Sequence, residues 1–324
     1  MAQVIQPKST AEFEQYYKRT LYWELQALEK LRRATLIKLI PATLVIGLLT
    51  WGIVALLAKP WYAVTVGPLL WQLVCVQAIV RPYKSQFKAR IISEVLTFID
   101  PSGSFHYTQN PAGQPNRFPF IESRLFGQRK PYYFSEVDSF AGAVGKAQVY
   151  FSHIRAGRRL IPLRRHAIAV FTGFFFQANF NKSFFGHTVI VTNVSENQFG
   201  TVRQALQSIG RPQASRLIKF EGLEFNRYFT VYSSDEREAR YIISPHLVQH
   251  LIKFQHKIGK DIRIAFLDDN IYVAIPHPRR LFEPQLLRSI VAFQPALECF
   301  ETLQIMIGLV DDLQLNQPAS HRAN

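Results

Sequence analysis

The sequence predicts an α+β protein in which an N-terminal amphipathic helix and a two-helix transmembrane hairpin precede a mixed, mainly antiparallel β-rich domain with packing helices. Residues 39–58 contain no charged side chain. After residue 147, runs rich in β-branched and aromatic residues indicate strands. With 48% hydrophobic residues and 26 Phe, the chain has enough apolar material for a folded core, which excludes a wholly disordered protein.

Residues 1–38 are predicted to form a cytosolic helical arm. Ser9 followed by Glu12 is a capping-box pattern, which indicates a helix start. Apolar residues then recur every three or four positions, at Phe13, Tyr17, Leu21, Leu25, Leu28 and Leu31. A helix over residues 10–38 could lie at the lipid interface, pack on the following domain, pair with a second copy, or continue into the next helix. The sequence leaves these alternatives open.

Residues 39–80 are predicted to form the hairpin, with spans at 39–58 and 63–80. A helix as long as the first stretch covers roughly 30 Å, the thickness of a bilayer core. The second stretch is shorter and contains Gln72 and Gln77, which suit hydrogen bonds to the first helix or to another copy. As an alternative, the first stretch could be the buried core helix of a globular protein. This is disfavoured because such helices rarely run so long without a polar face.

Basic residues flank both ends of the hairpin, whereas its linker carries only Lys59. This distribution predicts that both termini are cytosolic. Basic residues beside the spans suit an anionic membrane surface, and this accounts for much of the net charge of +15. Nucleic acid is therefore not expected as a partner. The residues expected to contact lipid headgroups are Arg32, Arg33, Arg81, Lys84, Lys88 and Arg90.

Residues 81–316 are predicted to form the cytosolic α+β domain, and residues 317–324 a flexible tail. Residues 104–146 indicate turns with short apolar runs. The expected helices cover residues 85–99, 200–209, 235–240, 244–258 and about 295–314. The expected strands are 147–154, 167–179, 187–193, 216–222, 228–233, 262–267 and 271–275.

A cluster of cations in a predicted loop between two strands is the candidate functional site. Its members are Arg155, Arg158, Arg159, Arg164, Arg165 and, from the next loop, Lys182. Such a patch would contact anionic lipid headgroups, a phosphorylated ligand or an acidic protein. A solvated basic loop without such a role is the alternative.

The sequence contains no G-x-S-x-G, P-loop or G-x-G-x-x-G motif, so the catalytic residues are unknown and no cofactor is expected. His246 and His250 share a helix face, but Leu247 stands where a zincin carries Glu, and no metal site is predicted. Residues 268–270 indicate a hairpin turn rather than a calcium loop. Cys75 and Cys299 suggest no disulfide framework, which fits a reducing compartment.

Several stretches of the domain resemble the bacterial membrane-anchored family known as domain of unknown function 3137. They are VYFSHIRA, VFTGFFFQANFNKSFFG, FTVYSSDEREARYIISPHLVQHL and IRIAFLDDNIYVAIP, at residues 149–156, 170–186, 229–251 and 262–276. The resemblance covers roughly residues 85–290, and the two-span N-terminus is also typical of the family. It implies a bacterial inner-membrane setting and transfers no activity, cofactor or catalytic residue.

These observations favour a membrane-anchored binding or scaffold module that recognises a protein partner, a second copy of itself, or an anionic ligand or lipid. An enzyme acting on a membrane-associated or phosphorylated substrate is the alternative, because catalytic residues need not form a sequence motif. A transport role would require several copies, since the two spans carry no charged residue that could line a pathway.

Overall fold

The structure is a computed structural model, whose chain divides into two compact units. The helical unit comprises Lys8–Pro101 and Phe282–Glu301, and the sheet unit contains Ser102–Leu281. The residues described are 7–57, 61–109, 117–126, 130–145, 147–159, 167–179, 185–193, 216–220, 223–277, 283–284, 286–287 and 289–313. These two units are defined by contacts within the chain. The boundaries predicted above for the arm, hairpin, domain and tail are defined by the expected position of the membrane, and they stay predictions.

The N-terminal helix of the helical unit runs without a break from the predicted arm into the apolar stretch. It consists of α1 (Thr10–Tyr16), the π-helical turn π1 (Tyr17–Leu21) and α2 (Tyr22–Leu57). The capping box is confirmed, because the backbone N–H of Glu12 donates to Ser9 Oγ at 3.2 Å and that of Ser9 to Glu12 Oε2 at 2.7 Å. Two of the four alternatives for the arm are found together: the helix continues into the apolar stretch, and its apolar face packs on residues of the predicted domain.

The apolar face of the arm packs inside the helical unit. Phe13 is fully buried, and its ring stacks on that of Phe300 at a centroid distance of 4.3 Å and lies 5.6 Å from that of Phe98. Leu21 and Leu25 are also fully buried. Further along α2, eight large apolar side chains are exposed, whereas Ile46 is buried; the exposed ones are Ile37, Ile40, Leu44, Val45, Leu48, Leu49, Trp51 and Leu56.

The second apolar stretch is divided between α3 (Trp61–Trp71) and a π-helical segment, π2 (Gln72–Val80). It packs on α2, where Trp71 Nε1 donates to Thr43 Oγ1 at 3.4 Å. Among the described residues, one helix, Thr10–Leu56, is long and apolar enough to cross a membrane. The second predicted span stays a prediction.

Helix α4 (Arg81–Ile99) confirms the helix expected at residues 85–99 and begins four residues earlier. It ends at Asp100, and Gly103 follows with a φ of 71°, a left-handed conformation that glycine adopts without strain. The stop signal at residues 100–103 therefore acts as expected.

Nine strands in the described part of the chain form one sheet in the order β1-β2-β3-β4-β9-β8-β5-β7-β6. They are β1 (Phe105–Thr108), β2 (Tyr133–Val144), β3 (Ala147–Arg159), β4 (Ala167–Asn179), β5 (His187–Thr192), β6 (Arg216–Ile218), β7 (Phe229–Ser233), β8 (Arg263–Leu267) and β9 (Asn270–Pro276). Every described pairing is antiparallel, so the parallel part of the expected mixed sheet is not found there.

Strands β1 and β2 lie where the sequence predicted turns. The alternation of β2 is interrupted by Asp138, which has a φ of 56° and sits at a bulge opposite β3. The Tyr107 hydroxyl donates to Asp138 Oδ1 at 2.7 Å and ties β1 to this bulge. A pattern search at period two misses such a strand, because the bulge shifts the alternation by one residue.

Helices complete the sheet unit. They are α5 (Phe118–Glu122), α6 (Leu223–Tyr228), α7 (Glu236–Ile242) and α8 (Pro245–Ile258), and α9 (Phe293–Asp312) follows along the chain. Two of them, α7 and α8, begin where their caps predict, whereas α5 and α6 are not expected from the sequence. Asp235 caps α7, Ser244 caps α8, and Gly259 ends α8. The strand expected at 216–222 is shorter than predicted, and the helix expected at 200–209 lies outside the described residues.

Candidate functional site

The predicted cationic loop is not found as such, because Arg155, Arg158 and Arg159 belong to strand β3. Arg158 Nη2 donates to the carbonyl oxygen of Phe126. Nε of Arg155 is buried without a hydrogen-bond partner. Two of the predicted cations therefore lie within the folded sheet unit and not in a solvated loop. The other members of the cluster, Arg164, Arg165 and Lys182, lie outside the described residues.

Two of the six residues expected at lipid headgroups are buried inside the helical unit. Arg32 is 8% exposed and Lys88 3%. Arg32 Nη2 pairs with Glu29 Oε1 at 2.6 Å, and Lys88 Nζ lies 3.6 Å from Glu283 Oε2. Because a buried charge is stable only with its partner, these two side chains are committed to the fold.

The other four predicted headgroup residues reach the surface of the helical unit. The Arg33 side chain is 71% exposed. Arg81 donates to Gln77 at 3.0 Å, while Lys84 pairs with Glu283 at 2.8 Å and Arg90 with Glu24 at 2.6 Å. Exposed pairs of this kind are weak, about 0–1 kcal/mol, so they leave these cations able to change partners.

Glu29 is the acidic partner of Arg32, the buried cation of α2. The hydrogen bond from Arg32 is the main reason why the pKa of Glu29 is lowered to about 2. The backbone N–H of Ile290 also donates to Glu29 Oε2, at 3.3 Å. The pair therefore joins α2 to the chain segment before α9 and has a structural role.

Three neighbouring strands and α5 enclose a cavity of about 210 Å³ in the sheet unit, which we call the α5 cavity. Its lining residues are Pro119, Phe120, Phe134, Glu136, Tyr150, Ser152, Ile154, Phe175 and Gln177. The cavity was not predicted from the sequence, because two of its polar residues, Glu136 and Tyr150, lie on strands that meet only through the pairing of β2 with β3. Glu136, one of two acids within residues 133–144, was the available signal.

Glu136 is the charged residue among those lining the α5 cavity, and it is 9% exposed. The Tyr150 hydroxyl donates to Glu136 Oε1. Burial raises the pKa of Tyr150, and the bond to Glu136 raises it further, so the phenol stays protonated and acts as a donor. Ser152, which is 1% exposed, and Gln177 complete the polar end of the cavity.

Arg263 is one of the residues that line another cavity of the sheet unit, of about 230 Å³. The Arg263 guanidinium lies 4.9 Å from the centroid of the Phe126 ring, and Nη1 donates to the carbonyl oxygen of Leu125 at 3.4 Å. Burial lowers the pKa of Arg263. Together with Arg158, this arginine holds the segment that follows α5, so its first role is structural.

Among the described residues, no group of three His, Cys, Asp or Glu side chains lies close enough to hold a metal ion. His246 and His250 stack with ring centroids 4.6 Å apart on α8, as expected for an i, i+4 pair.

The family model described as "Protein of unknown function (DUF3137)" matches residues 169–315. This match confirms the family resemblance over that segment, which runs from β4 into the residues after α9. No curated protein matches the sequence.

One solved structure is similar, described as "crystal structure of the mycobacterial trehalose monomycolate transport factor A, TtfA". The similarity has a TM-score of 0.32 and 11% identity, and it covers 72% of this chain and 99% of that chain. A likeness at this level carries no argument about fold or function.

Proposed function

Taking as premise that residues 169–315 are a DUF3137 segment, we propose that this protein is a membrane-anchored binding or scaffold module at the cytosolic face of a bacterial inner membrane. The helical unit is the anchor, and the sheet unit is the part that recognises a partner or ligand. Anchoring raises the concentration of the sheet unit near membrane-bound partners without any further contact.

The observation that carries the proposal is the change of environment along the N-terminal helix. Its first half buries Phe13, Leu21 and Leu25, whereas eight large apolar side chains between Ile37 and Leu56 are exposed. Burying one such side chain is worth about 1.5–3 kcal/mol, so their joint exposure to water would be costly. A hydrocarbon environment removes this cost and supports a span at residues 39–58.

The proposal includes a second span at residues 63–80, antiparallel to the first. Its support is the packing of α3 and π2 on α2. Besides the bond from Trp71 to Thr43, a Cβ added at Gly67 would lie 3.2 Å from Thr50 Cγ2, so the two helices approach closely at this glycine. With basic residues outside both ends, both termini are proposed to be cytosolic.

Exposed cations beside the proposed spans are suited to anionic headgroups. We include Arg33, Arg81, Lys84 and Arg90, and we leave out Arg32 and Lys88 because their side chains are buried with acidic partners. Each basic residue near an anionic surface contributes about 1 kcal/mol.

Membrane fractionation of the full-length chain tests the anchor. We expect the protein to stay in the pellet after alkaline carbonate extraction. Replacing both Leu44 and Leu48 by Lys puts two charges into the proposed span, at about 2.5–3.5 kcal/mol each, and should release the protein.

The control for this test adds the same two charges at exposed positions outside the apolar stretch, as Thr20→Lys with Gln86→Lys. This variant should remain in the pellet. Recovery of the unmodified full-length protein in the soluble fraction would contradict the proposal.

A further inference from the structure

We propose that the α5 cavity binds a protonated primary amine that carries a small apolar group. The proposed site lies in the sheet unit alone, so it does not depend on whether α2 spans a membrane. It goes beyond the anchored binding module by naming a site and a class of ligand.

The α5 cavity contains one acidic side chain and, among its described lining residues, no cation. Glu136 is nearly buried and accepts the Tyr150 hydroxyl, and the described residues that line the cavity include no Lys, Arg or His. Removing a carboxylate from water is costly unless hydrogen bonds and an opposite charge compensate. A cationic ligand next to Glu136 supplies the missing charge.

The polar end of the cavity offers a set of hydrogen-bond acceptors. Tyr150 lies opposite Gln177 across the β3–β4 pairing, and Ser152 lies opposite Phe175. The Gln177 amide nitrogen donates to Asn270 Oδ1 at 3.3 Å, so the amide oxygen is the group that it offers to a ligand. A primary ammonium has three N–H donors, which match a carboxylate, a hydroxyl and an amide oxygen.

Aromatic rings line the other end of the cavity. The Phe120 ring lies 5.5 Å from that of Phe134 and 5.7 Å from that of Phe175, measured between centroids. Aromatic faces attract a desolvated ammonium and also bury an apolar group. The volume of about 210 Å³ is below the roughly 300–1,000 Å³ of sites for drug-sized ligands, so the ligand is small.

Other occupants fit this chemistry less well. An anion would meet the Glu136 carboxylate, and no cation among the described lining residues would balance it. A divalent metal ion such as calcium needs six to eight oxygen ligands, whereas the lining supplies one carboxylate. A neutral apolar molecule would leave the carboxylate without a partner charge. The protonated amine satisfies both ends of the cavity.

Calorimetric titration of the full-length protein in detergent micelles with phenethylammonium chloride at pH 7 tests the proposal. We expect saturable binding at one site, and none for 2-phenylethanol, which has a similar shape and no charge. Glu136→Gln keeps the size of the side chain and should weaken amine binding by about tenfold to hundredfold, the value of a charge-assisted hydrogen bond.

Glu224→Gln is the matched control, because Glu224 is exposed on α6 and does not line the cavity. It should bind the amine as the unmodified protein does. Should Glu136→Gln fail to fold, as judged by circular dichroism, Phe175→Leu replaces it and is expected to weaken binding severalfold.

The ammonium group could come from a free amine or from an ethanolamine headgroup. Repeating the titration in nanodiscs of phosphatidylcholine with and without phosphatidylethanolamine separates the two, since a bound headgroup would compete with the free amine. The proposal is overturned if folded full-length protein shows no saturable binding, or if Glu136→Gln binds the amine as tightly as Glu224→Gln does.

Discussion

His153 and His187 are buried in the sheet unit, with exposed fractions of 0% and 4%. Each ring donates through Nε2–H to a backbone carbonyl oxygen, that of His277 at 3.0 Å for His153 and that of Ser123 at 3.2 Å for His187. Burial is the largest cause that lowers the pKa of each to about 4. Both rings are therefore neutral in the folded protein at physiological pH.

This pair predicts how stability depends on pH. The unfolded chain protonates these histidines near pH 6.5, whereas the folded protein does so near pH 4. Between these values the unfolded state binds more protons than the folded state. The contribution of these histidines to the free energy of unfolding is therefore largest above about pH 6.5 and falls as the pH is lowered towards 4. The loss is about 3 kcal/mol for each histidine.

Thermal unfolding followed by circular dichroism between pH 4 and pH 7.5 checks this expectation. His187→Gln keeps a donor for the Ser123 carbonyl and should reduce the loss of stability at low pH. His106→Gln, made on an exposed side chain, controls for the substitution itself. Equal pH profiles for all three proteins would contradict the assignment.

Among the elements, helix α8 shows how a single residue ends a helix. Gly259 has a φ of 59°, and its N–H donates to the carbonyl oxygen of Gln255 at 2.8 Å. Space around it is open, with no atom within 4 Å of an added Cβ. A side chain at this position is therefore opposed by the backbone conformation and not by packing.

Two substitutions of glycine by alanine are expected to have opposite signs. Gly259→Ala should destabilise the protein by about 1 kcal/mol, because alanine is strained at positive φ. Gly308→Ala should stabilise it by about 0.5–1 kcal/mol, since Gly308 lies within α9 with open space around it. Thermal unfolding of both variants is the measurement, and a shift of the same sign in both would contradict this account.

For the whole molecule, the proposed topology predicts which residues face each side of the membrane. In intact spheroplasts, both termini should be protected from reagents added outside, because the basic flanks keep them in the cytosol. The linker between the two spans should be exposed to those reagents. A cysteine replacing Lys59, in a chain with Cys75 and Cys299 changed to Ser, should react with a membrane-impermeant maleimide added outside.

Ser9→Cys in the same background is the matched control for this labelling experiment, and it should react only after the cells are permeabilised. Labelling of both cysteines from outside would contradict the two-span topology. Labelling of Ser9→Cys alone from outside would indicate that the protein has the opposite orientation in the membrane.

The sequence by itself determined the features that depend on neighbours along the chain. The charge-free stretch of α2, the capping box at Ser9 and the ends of α4 and α8 were all predicted, because a helix and its caps are set by residues within one or two turns. The hairpin of β8 and β9 was predicted for the same reason, since its turn joins two adjacent apolar runs.

Only the tertiary structure decided which charges are buried and where the candidate site lies. Arg32 donates to the carbonyl oxygen of Leu286, 254 residues away, and Tyr150 reaches Glu136 only because β2 pairs with β3. The bulge at Asp138 hid β2 from a search for alternation. A buried polar group is set by partners that the fold brings together, and spacing along the chain carries no record of them.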